Sequence, residues 1–312
     1  MNEIHEIENS NFTVKFRGTR GSYPTAKENF LKFGGNTACV EVHCGNRLII
    51  LDSGTGIIDI GIDEIRNSII AEEKKPHQAT IILSHIHQDH IQGLQFFKPL
   101  FLQGSKIDLY GPKSPEEDLK DTLKKILFDK VFPLGLDEIR SNFQIHNFSQ
   151  NNMLILSQNG EDKIYDISDE NINIKEDDVR ISAYKTTAHP KSGCLCIKIE
   201  YKQKSLVYAT DKESYIGADK KFIQFAHHCN CLIHDAQYTY QDYISPIQPK
   251  QGFGHSTFEM AIEAAHGAKA DKLFFFHYDP EYDDLKLNML EQEFSQGNNG
   301  AYFAKEGYEI KL

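Results

Sequence analysis

The sequence predicts a layered α/β fold, and three observations carry that reading. Short apolar runs recur and end abruptly in polar residues: RLIIL before Asp52, ATIIL before Ser84 and His85, SLVYA before Thr210 and Asp211, and KLFFF before His277. Stretches long enough for helices separate several of these runs. The residues that follow the runs are mostly histidines and aspartates, the types that hold metals and move protons.

Runs of four to six apolar or β-branched residues read as buried strands, and VRISAY, shortly before His189, is another. Helices are expected around 57–70, 91–98, 115–128, 216–228, 256–266 and 282–294. In open α/β folds the loops beyond strand ends form the functional crevice, so these polar residues predict one site assembled from many strand ends. Residues 129–178 are rich in Asn, Gln, Asp and Ser. They read as an elaborated insertion, either a cover over the site or a solvated excursion.

The chain has 312 residues, and a single domain is the expectation. Its 34 Lys and Arg against 45 Asp and Glu give a net charge of -11. That sign disfavours a partner held by a broad basic surface, nucleic acid above all. The opening MNEIHEIENSNF lacks the pattern of a secretion signal, and no apolar run suggests a spanning helix. No membrane association and a cytoplasmic location are expected. The six cysteines are then expected as reduced thiols, with Cys194/Cys196 and Cys229/Cys231 as alternate positions of strands more readily than metal ligands.

The stretch SHIHQDH places His85, His87, Asp89 and His90 within six positions directly behind an apolar run. His85 and His87, one residue apart in extended chain, project the same way. Asp89 and His90 follow as the chain turns toward a helix, where they can face a second ion. Two adjacent divalent ions need more ligands than these four, and His189, Asp211 and His277 stand at later strand ends. The other histidines, at 5, 43, 77, 146, 227, 228, 234 and 266, lack that context and read as surface or structural residues.

These segments, with FRGTRGSYP (16–24), GGNTACVEV (34–42), LDSGTG (51–56), AHPKSG (188–193), YATDKE (208–213), HDAQYT (234–239), GFGHST (252–257) and FFHYDP (275–280), resemble the metallo-β-lactamase superfamily. The likeness is to its phosphodiesterase branch, which includes ribonuclease Z and cyclic-nucleotide phosphodiesterases. It implies a four-layer αββα sandwich with two metal ions at one edge. Position by position, His85, His87 and His189 would hold one ion, Asp89, His90 and His277 the second, and Asp211 would bridge. Asp52 would accept an imidazole N–H from a ligand. Zinc is the metal expected first, with manganese or iron as alternatives. Homodimerisation is also implied by the resemblance.

GFGHST favours phosphoester chemistry within that superfamily. Ser256 and Glu259 have the spacing of a capping box, which would set His255 just ahead of a helix N-terminus, where it can meet a phosphate oxygen or protonate a leaving alkoxide. The expected reaction is attack on phosphorus by a hydroxide held between the ions, with Asp89 orienting it. Arg20, Asn36 and Thr37, polar residues of early Gly-rich turns, are candidates for the pocket together with Ser256. The acidic charge, and a segment before His189 that lacks the basic pattern of ribonuclease Z, favour a small 3′,5′-cyclic nucleotide. A ribonuclease Z-like tRNA 3′-processing endonuclease is the alternative, and a non-catalytic nucleotide sensor a further one. A redox di-iron protein of the same fold would normally carry Glu where His87 stands.

Overall fold

A computed structural model describes residues 11–70, 77–170, 172–215, 219–295 and 300–312. The strands are β1 (Phe12–Gly18), β2 (Cys39–Cys44), β3 (Arg47–Leu51), β4 (Gln78–Ile82), β5 (Lys106–Gly111) and β6 (Asn142–Asn147). They continue as β7 (Asn152–Leu156), β8 (Lys163–Asp166), β9 (Val179–Thr186), β10 (Cys194–Tyr201), β11 (Lys204–Ala209), β12 (Cys231–Asp235), β13 (Leu273–Phe276), β14 (Ala301–Phe303) and β15 (Glu309–Lys311). Helices are α1 (Ile57–Ile70), α2 (Gln88–Ile91), α3 (Leu119–Leu123), α4 (Lys220–Phe225), α5 (Tyr240–Tyr243), α6 (Phe258–Ala268) and α7 (Asp284–Ser295).

Two mixed sheets result, ordered β15-β1-β2-β3-β4-β5-β6 and β14-β13-β12-β11-β10-β9-β7-β8. Strands β3 to β6 are parallel in the first sheet, and β11 to β14 in the second. Strand alternation divides the apolar residues between two faces. In the run LFFF, Phe274 and Phe276 enter the core between the sheets, while Leu273 and Phe275 face outward against α6 and α7. Ile49 and Leu51 of β3 likewise point inward, with Leu48 and Ile50 in an outer cluster that includes Ile57 and Ile60 of α1. The layers are therefore helix, sheet, sheet, helix, and the three cores account for why parallel strands here are apolar on both faces.

Several elements depart from the sequence expectation. The helix expected at 91–98 is one turn, α2, followed by short 3-10 turns at Leu94–Phe96 and Lys98–Phe101; Gly93 and Pro99 break the run. The helix expected at 115–128 is α3 continued by a π turn to Phe128. Of the helix expected at 216–228, α4 covers Lys220–Phe225, and 216–218 lie outside the described residues, as does His5. Segment 129–178 joins the sheets: it supplies β6 to the edge of the first and β7 and β8 to the edge of the second. Its share in both sheets corrects the reading as a cover or solvated excursion. All six cysteines are buried free thiols, and burial raises their pKa values. Among the described residues none of them joins a metal-capable cluster.

Candidate metal centre

The carboxyl ends of the parallel strands of both sheets meet at one edge. Asp52 follows β3, residues 84–90 follow β4, Asp211 follows β11, Asp235 ends β12 and His277 follows β13. Asp52, Asp211 and His277 take left-handed backbone conformations, with φ of 59°, 50° and 64°. Each costs about 1 kcal/mol or more, and such strain is retained where a side chain must be aimed. Space is equally constrained. A Cβ on Gly21 would sit 2.5 Å from the His277 ring, and one on Gly254 2.2 Å from His189 Nδ1.

The side chains converge into three overlapping groups. His85, His87, His189 and Asp211 form the first, Asp89, His90 and His277 the second, and Asp211, His255 and His277 a third, each with its ligand atoms within 4.8 Å of one another. In the first, His189 Nε2 lies 2.9 Å from His87 Nδ1 and 3.5 Å from Asp211 Oδ1, with His85 Nε2 3.6 Å from the same oxygen. In the second, His90 Nε2 is 3.2 Å from His277 Nε2 and 3.3 Å from Asp89 Oδ2. Asp211 Oδ2 is 3.1 Å from His90 and 3.2 Å from His277, so the two oxygens of Asp211 face different groups. A tetrahedral ion with bonds of about 2.0–2.1 Å has ligand-to-ligand edges of about 3.3 Å, close to these separations.

Hydrogen bonding tests whether a cation fits. His90 Nδ1 is 2.7 Å from Asp52 Oδ2, an acceptor only, so Nδ1 carries a hydrogen and Nε2 is the atom left to meet a cation. That nitrogen faces the oxygens of Asp89 and Asp211, which favour a proton or a metal ion on it. His189 donates from Nδ1 to the Gly254 carbonyl at 3.2 Å, which turns its Nε2 lone pair toward His87 and Asp211. Buried His85 Nε2 has no hydrogen-bond partner. Ser84 Oγ explains it: the hydroxyl donates to Asp52 and accepts from His85 Nδ1, leaving Nε2 as the free lone pair. Acceptors that point at one another in a buried space call for positive charge among them. Imidazole and carboxylate donors suit zinc and neighbouring divalent ions, so the residues fit the metal that the sequence implies.

Ionisation follows the same logic. Burial, then neighbouring His90, holds His85 well below the ordinary histidine range, and burial brings His189 down to about 4. Both rings are neutral, as a metal-binding imidazole must be. Burial opposes charge on Asp211, but His277 and His90 outweigh it and keep the carboxylate ionised. Burial also opposes a proton on His90, yet Asp211, Asp89 and Asp52 together raise its pKa. In chemical terms, the cavity is built for a cation.

Beside this cluster stands His255, 8 % exposed, with Nδ1 2.8 Å from Asp235 Oδ2. Its Nδ1 is 4.0 Å from Asp211 Oδ1, and the bond to Asp235 occupies that nitrogen, so His255 flanks the ligand set. Burial lowers its pKa, but Asp235 reverses that and raises it. Asp235 also accepts the N–H groups of Asp211, Ser256 and Gln237. The sequence reading assigned Asp235 no role, although it ends an apolar strand just as the other site residues do. Asp52 is its counterpart, accepting from Ser84 N, Ser84 Oγ, His90 Nδ1 and Tyr208 OH.

The expected pocket residues are engaged elsewhere. Fully buried Arg20 donates to the carbonyls of Gly34, Asp279 and Tyr282 and lies against the Phe30 ring. Asn36 donates its N–H and side-chain amide to Glu306. Thr37 and Thr55 exchange backbone-to-hydroxyl bonds. Ser256 Oγ donates to the Lys212 carbonyl and accepts from Ser214 N, while Thr257 caps α6 through Met260 N. These four residues hold turns together, and the helix cap falls on Thr257, one residue beyond the expected Ser256, without the reciprocal Glu259 bond of a capping box. Ser22 was not foreseen: its N–H bonds Asp89 Oδ2 at 2.7 Å.

Comparison with known proteins agrees with this architecture. Ribonuclease Z of Picrophilus torridus is 25% identical, covering 97% of this chain and 96% of its own. A diphosphatase of the PhnP family superposes with a TM-score of 0.62 at 18% identity, over 96% of this chain and 98% of the other. The short form of human tRNase Z superposes at 0.56 with 18% identity, over 96% and 99%. The latter two likenesses concern the fold, which is that of the metallo-β-lactamases. Since the beta-lactamase superfamily domain matches residues 47–278, a span from β3 to just beyond His277, the chain belongs to that superfamily.

Proposed function

We propose that the protein is a metal-dependent phosphodiesterase that cuts RNA near a 3′ end, the ribonuclease Z-like alternative of the sequence reading, which its similarity to proteins named ribonuclease Z supports. The observation that carries the phosphodiesterase reading is the pair of ligand groups sharing Asp211, with the His255–Asp235 pair alongside. Full-length similarity to ribonuclease Z supports the RNA substrate over a small cyclic nucleotide.

Divalent ions held by His85, His87, His189, Asp89, His90, His277 and Asp211 would supply a nucleophile at neutral pH and neutralise charge on phosphoryl oxygens. The remaining work falls to the chain. Ser22 N and the Asp52 network fix Asp89 and His90 before substrate arrives. Asp235 accepts a hydrogen bond from His255 Nδ1 and raises the pKa of the ring, which leaves Nε2 as the donor that would meet a phosphoryl oxygen or protonate the departing ribose oxygen.

A 3′,5′-cyclic nucleotide is the second reading, favoured by the net charge of -11. Purified protein loaded with zinc or manganese should release a trailer from a 3′-extended tRNA precursor faster than it opens any cyclic mononucleotide. The reverse order would establish the second reading. Binding of nucleotide with no turnover on either would leave a sensor.

A further inference from the structure

Phe253, two residues before His255, is 46% exposed and belongs to none of the buried apolar clusters. Its backbone is nonetheless held firmly. Gly252 and Gly254 flank it with φ of 81° and 92°, and the N–H groups of both bond the carboxylate of Glu213 at 2.9–3.0 Å. Phe253 N bonds the Lys250 carbonyl at 3.0 Å, closing the turn. Glu213 lies two residues beyond Asp211, so the aromatic tip is anchored to the strand end that carries the shared ligand. Lys250 Nζ sits 5.5 Å from the Tyr238 ring centre and 5.6 Å from that of Phe253. Tyr238, 5% exposed, meets His255 edge-on at 5.9 Å.

A half-exposed aromatic ring on a rigid turn, with the Lys250 ammonium over it and His255 two residues along the chain, matches what a nucleobase needs. Bases stack on aromatic rings with little regard to identity, and a neighbouring cation strengthens the contact. We propose that Phe253 and Lys250 form a nucleobase subsite, in which the base next to the scissile phosphate stacks on Phe253 while Lys250 faces its polar edge or phosphate. This rests on the phosphodiesterase reading of the same site and adds that its substrate is recognised through a base.

The chain contains no tryptophan, so Phe253→Trp places a single reporter at the subsite of the full-length protein. Titration with AMP should quench its emission saturably, and ribose 5-phosphate, which lacks the base, should not. Lys250→Ala in that background should weaken AMP several-fold. Calorimetry on Phe253→Ala should show AMP affinity lowered about tenfold relative to the unaltered chain. Equal quenching by ribose 5-phosphate, AMP binding that leaves the tryptophan unchanged, or no AMP binding would each overturn the subsite. So would emission that follows protein concentration and ignores AMP, which would assign the exposed ring to contact with a second copy. The two readings fail separately: quenching intact with no turnover on any phosphodiester sinks the enzyme and leaves the subsite standing.

Discussion

The two sheets contribute to the centre in different ways. From the first sheet, His85, His87, Asp89 and His90 come from one stretch of seven residues, Ser84–His90, behind β4. From the second, His189, Asp211 and His277 are spread along the chain and are brought together by strand register: Ala209 pairs with His234 and Asp235 with Phe276, so the ends of β11, β12 and β13 line up. Each side has one buried carboxylate as its organiser, Asp52 for the first and Asp235 for the second. A local turn makes a ligand set that can be seen in the sequence. A parallel sheet makes one whose members show in the sequence only as separate strand ends, and whose meeting shows when the strands are ordered.

Four substitutions probe that contrast. The largest effect is expected for Asp211→Ala, which removes the ligand facing both groups: turnover should fall well beyond the ~10–100-fold loss typical of an orienting partner, with bound metal reduced by elemental analysis. Two tightly held ions in that variant would show that the sheets build independent sites. The organisers come next. Asp52→Asn should lower metal affinity about 10–100-fold in chelator competition, while Asp235→Asn should lower kcat with less change in metal content. If the two variants exchange phenotypes, the division of labour between the sheets is wrong. Arg20→Met should cost about 3 kcal/mol in urea unfolding, because three carbonyls lose a buried donor, with KM little altered. A raised KM at undiminished stability would instead return Arg20 to the pocket.

The smallest effect is a pH dependence. Burial lifts Glu306 from 4.5 to about 7, against the lowering influence of the two Asn36 hydrogen bonds. The folded chain therefore holds this proton more tightly than the unfolded chain. The resulting stability is complete below about pH 4.5 and is lost as pH rises through 7. Glu306→Gln should flatten the decline of Tm between those values, and an unaltered slope would show that the turn at Asn36 does not depend on that proton.

Much of the molecule was legible because its signals are local. The apolar runs ending in His or Asp gave the strands and the residues that cluster at their ends, and α1 spans Ile57–Ile70 as its pattern implies. Other parts depended on partners far away in sequence. Arg20 looked like a phosphate ligand in a Gly-rich turn, but its acceptor at Tyr282 lies 262 residues on. Asn36 likewise meets Glu306, 270 residues on. Strand β6 has no buried position, so an edge strand read as loop. Net charge is a weaker signal. It sums the whole surface, and it favoured a small cyclic nucleotide while the similar proteins bear the name ribonuclease Z.

The link between the sheets also has a practical meaning. β6 closes one sheet and β7 enters the other across a short connection, 148–151, so a cut there would sort most of each sheet into its own fragment. Among the described strands only β15 crosses back, pairing with β1. One fragment would carry the Ser84–His90 ligands and Asp52, the other His189, Asp211, Asp235, His255 and His277. Neither piece holds a complete ligand set, while Tyr208 of the second donates to Asp52 of the first at 2.8 Å. Fragment complementation could then be scored by recovery of the metal centre, turning the seam between the sheets into a readout of their reassembly.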